Sequence, residues 1–226
     1  MNRETFQKLE AYMHVCMADS AHDREHVYRV LYTALELAEQ EEYVDRDVLI
    51  TACMLHDIGR QAQFADPGLC HAAVGGEMAK TFLLEEGFSA EFADRVCHCI
   101  QTHRFRKSNP PVTVEAKLLF DADKLDVTGT IGVARTLLYQ GQTIRPLYTL
   151  RDTGEVCDGT GECPDSFFRE YKFKLENIYD RFYSRQGQEM ARERKAAAEA
   201  FYDSLLKEVR CSRQGSAHLE QYLSGD

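Results

Sequence analysis

Two histidines and two aspartates carry the strongest chemical signal in this 226-residue chain: His26, the adjacent pair His56-Asp57, and Asp123. His26 lies thirty residues before the pair and Asp123 sixty-six residues after it, so the set draws on distant segments. Imidazole and carboxylate donors without thiolate suit manganese, nickel, iron, cobalt or zinc, and magnesium less well. A divalent ion held with open positions lowers the pKa of bound water and polarises a phosphoryl oxygen, so metal-dependent hydrolysis is the chemistry to expect. Spacing alone does not establish it. A helical histidine is more often a surface or satisfied core residue, and a second dipeptide, His22-Asp23, has no such companions.

The elements that must position these residues read at period 3.6 almost throughout, which makes the chain all-α. Ser20-x-x-Asp23 resembles a capping box before a helix with His26 in its early turns and Val27, Val30, Leu31, Ala34, Leu37 and Ala38 on its apolar face. Asp45 is the expected N-cap of the next helix, which is apolar almost all round from Val48 to Leu55, as expected at a core centre. Gly59 is its stop signal, which places His56 and Asp57 in the last turn, where the helix dipole favours a cation. Further helices are expected from Ala72 to a Schellman close at Gly87-Phe88, through Phe92, Val96 and Ile100 to His103, from Val114 to Leu125, and from Thr130 to Gln140. Residues 141–165, rich in glycine and polar residues, read as a surface loop or a lid. Phe168, Tyr171, Leu175, Ile178, Tyr179 and Phe182 then form a stripe on one helix, and Ala196 to Val209 makes a second. The expected organisation is a helical core over 1–140, the loop, a C-terminal helix pair over 166–210 packing on that core, and a frayed tail over 211–226.

Composition narrows the classes. Hydrophobic residues make up 44% of the chain, enough for a continuous core. Eight cysteines without a secretion signal read as reduced thiols, and Cys97-x-Cys99 and Cys157-x5-Cys163 lack zinc-site spacing. The formal charge of −10 disfavours nucleic acid or an acidic membrane surface as partner. No membrane span and no signal peptide is evident, so a cytoplasmic monomer or homodimer is expected. An acidic molecule that binds a phosphate ester must gather cations locally. Arg104, Arg106 and Lys107 after His103, Lys124 beside Asp123, and Arg29 and Arg60 near the other candidate ligands are the available ones. Each has an ordinary alternative as a helix-end charge or an ion-pair partner.

The words HDREHVYRV at 22–30, LHDIGR at 55–60 and DADKLDVTGTIGVART at 121–136 resemble the HD-domain phosphohydrolase superfamily, in particular a bacterial YedJ/YpgQ-like subgroup. The resemblance continues through Phe168 to Phe201 and so covers most of the chain. It implies an HD-domain helical bundle with a C-terminal helical extension, and His26, His56, Asp57 and Asp123 as metal ligands. It alone selects Asp123 over Asp121 and Asp126. It also reaches a histidine before the Ala72 helix and the IQTHRF segment, which makes His71 and His103 candidates for contact with substrate phosphate or water, or for a second metal. Asp126, at i+3 from Asp123, is a candidate general base or supporting acceptor, and its alternative is a pairing with Lys124 or another cation. His98 is read as structural. The implied activity is cleavage of a nucleoside or deoxynucleoside triphosphate to monophosphate and pyrophosphate, with Asp57, His71, His103 and Asp126 in the catalytic set. The alternatives are a nucleotide phosphomonoesterase, a cyclic-nucleotide phosphodiesterase and a non-catalytic nucleotide-sensing module. No GxxxxGK[ST] loop is present.

Overall fold

The computed structural model describes residues 1–17, 24–104 and 108–224. The expected capping box at 20–23, the His22-Asp23 pair, Arg106 and Lys107 lie outside them. The described residues form helices α1 (Arg3–Cys16), α2 (Arg24–Ala38), α3 (Arg46–Leu55), α4 (Arg60–Ala65), α5 (His71–Glu85), α6 (Ala90–Thr102), α7 (Val114–Leu125), α8 (Gly129–Gln142), α9 (Phe167–Phe173) and α10 (Arg185–Ser224). Among them no strand occurs beyond one antiparallel bridge between Leu150 and Val156. The fold is all-α, as expected. No described helix is long and apolar enough to cross a membrane.

The chain divides into two units, residues 1–126 with 182–188, and residues 127–181 with 189–226. In the first, α3 touches α1, α2, α5, α6 and α7. Val48, Leu49, Thr51, Ala52, Cys53, Met54 and Leu55 are all buried, which is why this helix needs no polar face. Its N-terminus is fixed by Asp45, whose carboxylate accepts from the Asp47 and Val48 amides and pairs with Arg95 of α6, while the Asp45 amide donates to Glu115 of α7. Gly87, at φ +85°, closes α5: the Phe88 amide donates to the Leu83 carbonyl and that of Gly87 to the Leu84 carbonyl.

Gly59 acts differently from its sequence reading. Helix α3 ends at Leu55 with His56 as C-cap, and Gly59 has an ordinary φ of −82°. What requires glycine is space. A Cβ there would lie 2.2 Å from the His71 carbonyl oxygen and 2.6 Å from the Gly75 amide nitrogen. The turn after α3 thus lies directly against the first turns of α5.

In the second unit the aromatic stripe does not stay on one helix. Helix α9 ends at Phe173, where the Asn177 side chain donates to the Lys172 and Phe173 carbonyls and takes the place of further helix bonds. A short 3-10 turn over Leu175–Asn177 follows. The stripe is nonetheless buried, with Tyr171 stacked on Tyr202 of α10 at 4.3 Å and Phe168 edge-on to the same ring. Helix α10 runs to Ser224, so the tail expected to fray from Ser212 is helical and exposed. The loop before α9 holds a small hairpin: the Cys157 amide donates to Thr149 and the Arg151 amide to Glu155. The helix expected over 130–140 is α8, and it belongs to this second unit.

Candidate metal centre

Helix ends converge in the first unit. His26 comes from the first turn of α2 and His71 begins α5, whereas His56 and His103 are the C-caps of α3 and α6. The two C-cap histidines use one local device. The Nδ1–H of His56 donates to the Cys53 carbonyl at 2.8 Å and that of His103 to the Ile100 carbonyl at 2.6 Å, each three residues back. A helix end leaves such carbonyls short of amide partners, the His103 amide reaching Ile100 at only 3.4 Å, so the side chain adds a donor and fixes its own ring. The other two find acceptors across the fold: His26 Nδ1 meets the Asp126 carboxylate at 2.7 Å and His71 Nδ1 the Gln63 Oε1 at 2.6 Å.

These acceptors require hydrogen on all four Nδ1 atoms, so in each neutral imidazole the lone pair lies on Nε2. The lone pairs meet in twos. His26 and His56 Nε2 stand 3.3 Å apart, and His71 and His103 Nε2 stand 3.2 Å apart. Between the pairs lies Asp57, buried, with Oδ2 3.6 Å from His26 and 3.7 Å from His56, and Oδ1 3.5 Å from His71 and 3.7 Å from His103. Asp123 Oδ1 adds a donor to the first pair, 3.3 Å from His26 and 4.0 Å from His56.

Two acceptor nitrogens at such separations repel unless a proton or a cation lies between them. Burial opposes the proton. It pushes the His56 imidazole down, takes His103 to about 3, and, with the Arg60 guanidinium adding to it, takes His71 to about 2. Burial alone would raise the Asp57 carboxyl, but the Arg60 guanidinium beside it holds it well below the usual range, and the Lys124 ammonium does the same for Asp123. The result is neutral imidazoles at His56, His71 and His103 facing ionised carboxylates, the protonation that metal binding requires. Donors about 2.1 Å from a common ion stand about 3.0 to 3.4 Å apart in octahedral or tetrahedral coordination. The two Nε2 pairs meet that spacing and the carboxylate oxygens stand 3.3 to 4.0 Å from them, so His26, His56, Asp123 and Asp57, His71, His103 are the groups among the described residues that could each hold a divalent ion.

Every histidine and aspartate expected at the site that the structure describes lies in or beside this centre. Asp121, which spacing could not separate from Asp123, faces away and accepts from the Tyr183 and Ser184 amides and the Ser184 hydroxyl. Asp126 supports His26 and pairs with Arg29, not Lys124. Of the expected substrate cations, Arg60 donates to Asp57 Oδ1 at 2.9 Å, Lys124 lies 2.5 Å from Asp123 Oδ2, and Arg104 reaches the Cys70 sulfur at 3.5 Å. Gln63 was not marked by any motif. A neutral amide eight residues before a histidine carries no signal until the fold shows which atom it meets.

Residues 24–128 match the HD domain family model, and the His, His-Asp and Asp of this helical unit all lie within that match. The chain is similar to the uncharacterized protein YpgQ of Bacillus subtilis, 28% identical over 194 residues, which is 84% of this chain and 85% of that protein. Among solved structures it resembles an HD-superfamily hydrolase from Bacillus thuringiensis, 27% identical with a TM-score of 0.67, covering 91% of this chain and 97% of that one. It likewise resembles Bacillus subtilis YpgQ in complex with ADP, 25% identical with a TM-score of 0.69, covering 91% and 95% of the two chains.

Proposed function

We propose that this protein is a divalent-cation-dependent phosphohydrolase acting on nucleotides, and that it cleaves a nucleoside or deoxynucleoside triphosphate to monophosphate and pyrophosphate. The observation that carries the phosphohydrolase reading is the buried Asp57 carboxylate, which presents one oxygen to each of two pairs of inward-facing imidazole lone pairs. The nucleotide reading is supported by the ADP complex of the similar YpgQ, and the position of cleavage by the sequence resemblance.

When bound, a divalent ion here would neutralise phosphoryl charge and acidify an attacking water. His26, His56, Asp57 and Asp123 would hold it, with His71 and His103 on the other face of Asp57. The chain's own cations do the rest. Lys124 and Arg60, both partly exposed beside the carboxylates, offset charge on the phosphoryl oxygens, and Arg104 contributes from the end of α6. Arg29 serves another purpose: with Asp126 it fixes His26 in the tautomer that presents Nε2 inward. A phosphodiesterase or phosphomonoesterase would use the same donors, and the second donor set is the feature that favours the phosphodiesterase. A sensing module would need no open metal position.

The test is to strip metal, reconstitute separately with manganese, nickel, cobalt, iron and magnesium, and assay a nucleotide panel while distinguishing pyrophosphate from orthophosphate. Pyrophosphate and monophosphate in equal amounts are expected. Orthophosphate alone would assign a phosphomonoesterase, and nucleotide binding without turnover under any metal would assign a sensor.

A further inference from the structure

The two donor sets are built alike, each from one histidine at a helix start and one at a helix C-cap, yet their surroundings differ in charge. Behind His26 stands the Asp126 carboxylate at 2.7 Å, and Asp123 adds a second ionised carboxylate in front. Behind His71 stands a neutral amide, Gln63 Oε1, at 2.6 Å. The amide's orientation is fixed, because its Nε2 donates to the Leu69 carbonyl at 3.0 Å, leaving only Oε1 to face the ring. Among the described residues the His71 pair has only the shared Asp57 as a carboxylate donor, with Asp123 acting on His103 by charge. Arg60 donates at 2.9 Å to Asp57 Oδ1, the oxygen that faces His71, and Arg104 reaches the sulfur of Cys70, next to His71, at 3.5 Å.

An acceptor on the far nitrogen makes an imidazole a stronger donor, more so when it is charged. We propose that Gln63 is a positioning residue that supports the His71–His103 cation position through His71 but, being uncharged where His26 has Asp126, leaves it the weaker of two unequal positions, so that the first cation is resident and the second exchangeable. This rests on the metal reading above. Gln63 holds His71 in the required tautomer but, being uncharged, does not add to its basicity as Asp126 does for His26. Arg60 and Arg104 disfavour a cation there further, until an anionic ligand offsets their charge.

The experiment is calorimetric titration of the metal-free full chain with manganese(II), checked by metal analysis after dialysis, for wild type, Gln63→Leu and Gln63→Glu. Wild type is expected to show two binding events of different affinity. Gln63→Leu should weaken the second by about 10- to 100-fold while leaving the first within about threefold, the range seen when a ligand's supporting partner is removed. Gln63→Glu should tighten the second by about tenfold, a gain that a merely structural role for Gln63 would not produce. An unchanged second event in both variants, or parallel weakening of both events, overturns the proposal. One cation in wild type, unaffected by either substitution, overturns it while leaving the first position standing. No uptake at all overturns the metal reading beneath it.

Discussion

Asp57 is the residue on which both halves of the centre depend, since its two oxygens face different histidine pairs. Replacing it with alanine should lower activity by at least about 1,000-fold and reduce retained metal, because a shared ligand is lost from each set. Metal analysis and kcat/KM measured on the same sample check this; full metal content with full activity would refute the ligand assignment. Asp126→Asn keeps the size of the side chain but removes the charge behind His26. It is expected to weaken the first cation by about 10- to 100-fold, with the far-ultraviolet circular dichroism unchanged. The convergence of His26, His56, Asp57 and Asp123 was legible in the sequence because their types are unusual together and their order resembles the HD words. The roles of Arg29 and Gln63 were not, since each depends on which atom a distant chain segment places within hydrogen-bond reach. Arg29 could be read equally as a phosphate contact or an ion-pair partner, and the structure makes it the partner of Asp126.

Helix termini do the positioning, and their placement depends on close backbone approach as much as on capping. Gly59→Ala would force a Cβ to 2.2 Å from the His71 carbonyl and push α5 away from the turn that carries Asp57. A destabilisation of about 1 to 3 kcal/mol, typical of overpacking, is expected in urea unfolding, with weaker cation binding alongside it. Asp45→Ala should cost about 1 kcal/mol through loss of the α3 cap, with the centre retained. The central helices were legible because their apolar periodicity is strong and their caps conventional: Asp45 and the Gly87 close lie where the sequence puts them. The reason for Gly59 was not legible, because a glycine needed for space and one needed for a helix stop look alike in sequence. The aromatic stripe from Phe168 to Phe182 marked burial correctly but not continuity, since the Asn177 side chain breaks the helix without disturbing the apolar spacing.

For the whole molecule, folding keeps several imidazoles neutral that would be charged in the unfolded chain. His71 titrates near 2 and His103 near 3, and His56 is also lowered from the ordinary 6.5. The unfolded chain therefore takes up protons that the folded one does not, so stability rises with pH across this interval. The metal-free protein should hold its full histidine contribution above pH 6.5 and lose it progressively on acidification toward pH 3. Asp57 and Asp123, both lowered, add to the loss only below the usual carboxylate value of 3.8. Urea midpoints that fall from pH 7.5 to pH 5 would agree, and midpoints that rise would not. The same neutrality is what readies the centre for a cation near pH 7, and that readiness is the central claim. It is tested most directly by anomalous diffraction at the manganese edge from crystals grown with manganese(II). A peak shared by His26, His56, Asp57 and Asp123 is expected, with a weaker one beside His71 and His103. Manganese found elsewhere, with the four Nε2 atoms bare in an active protein, would contradict it.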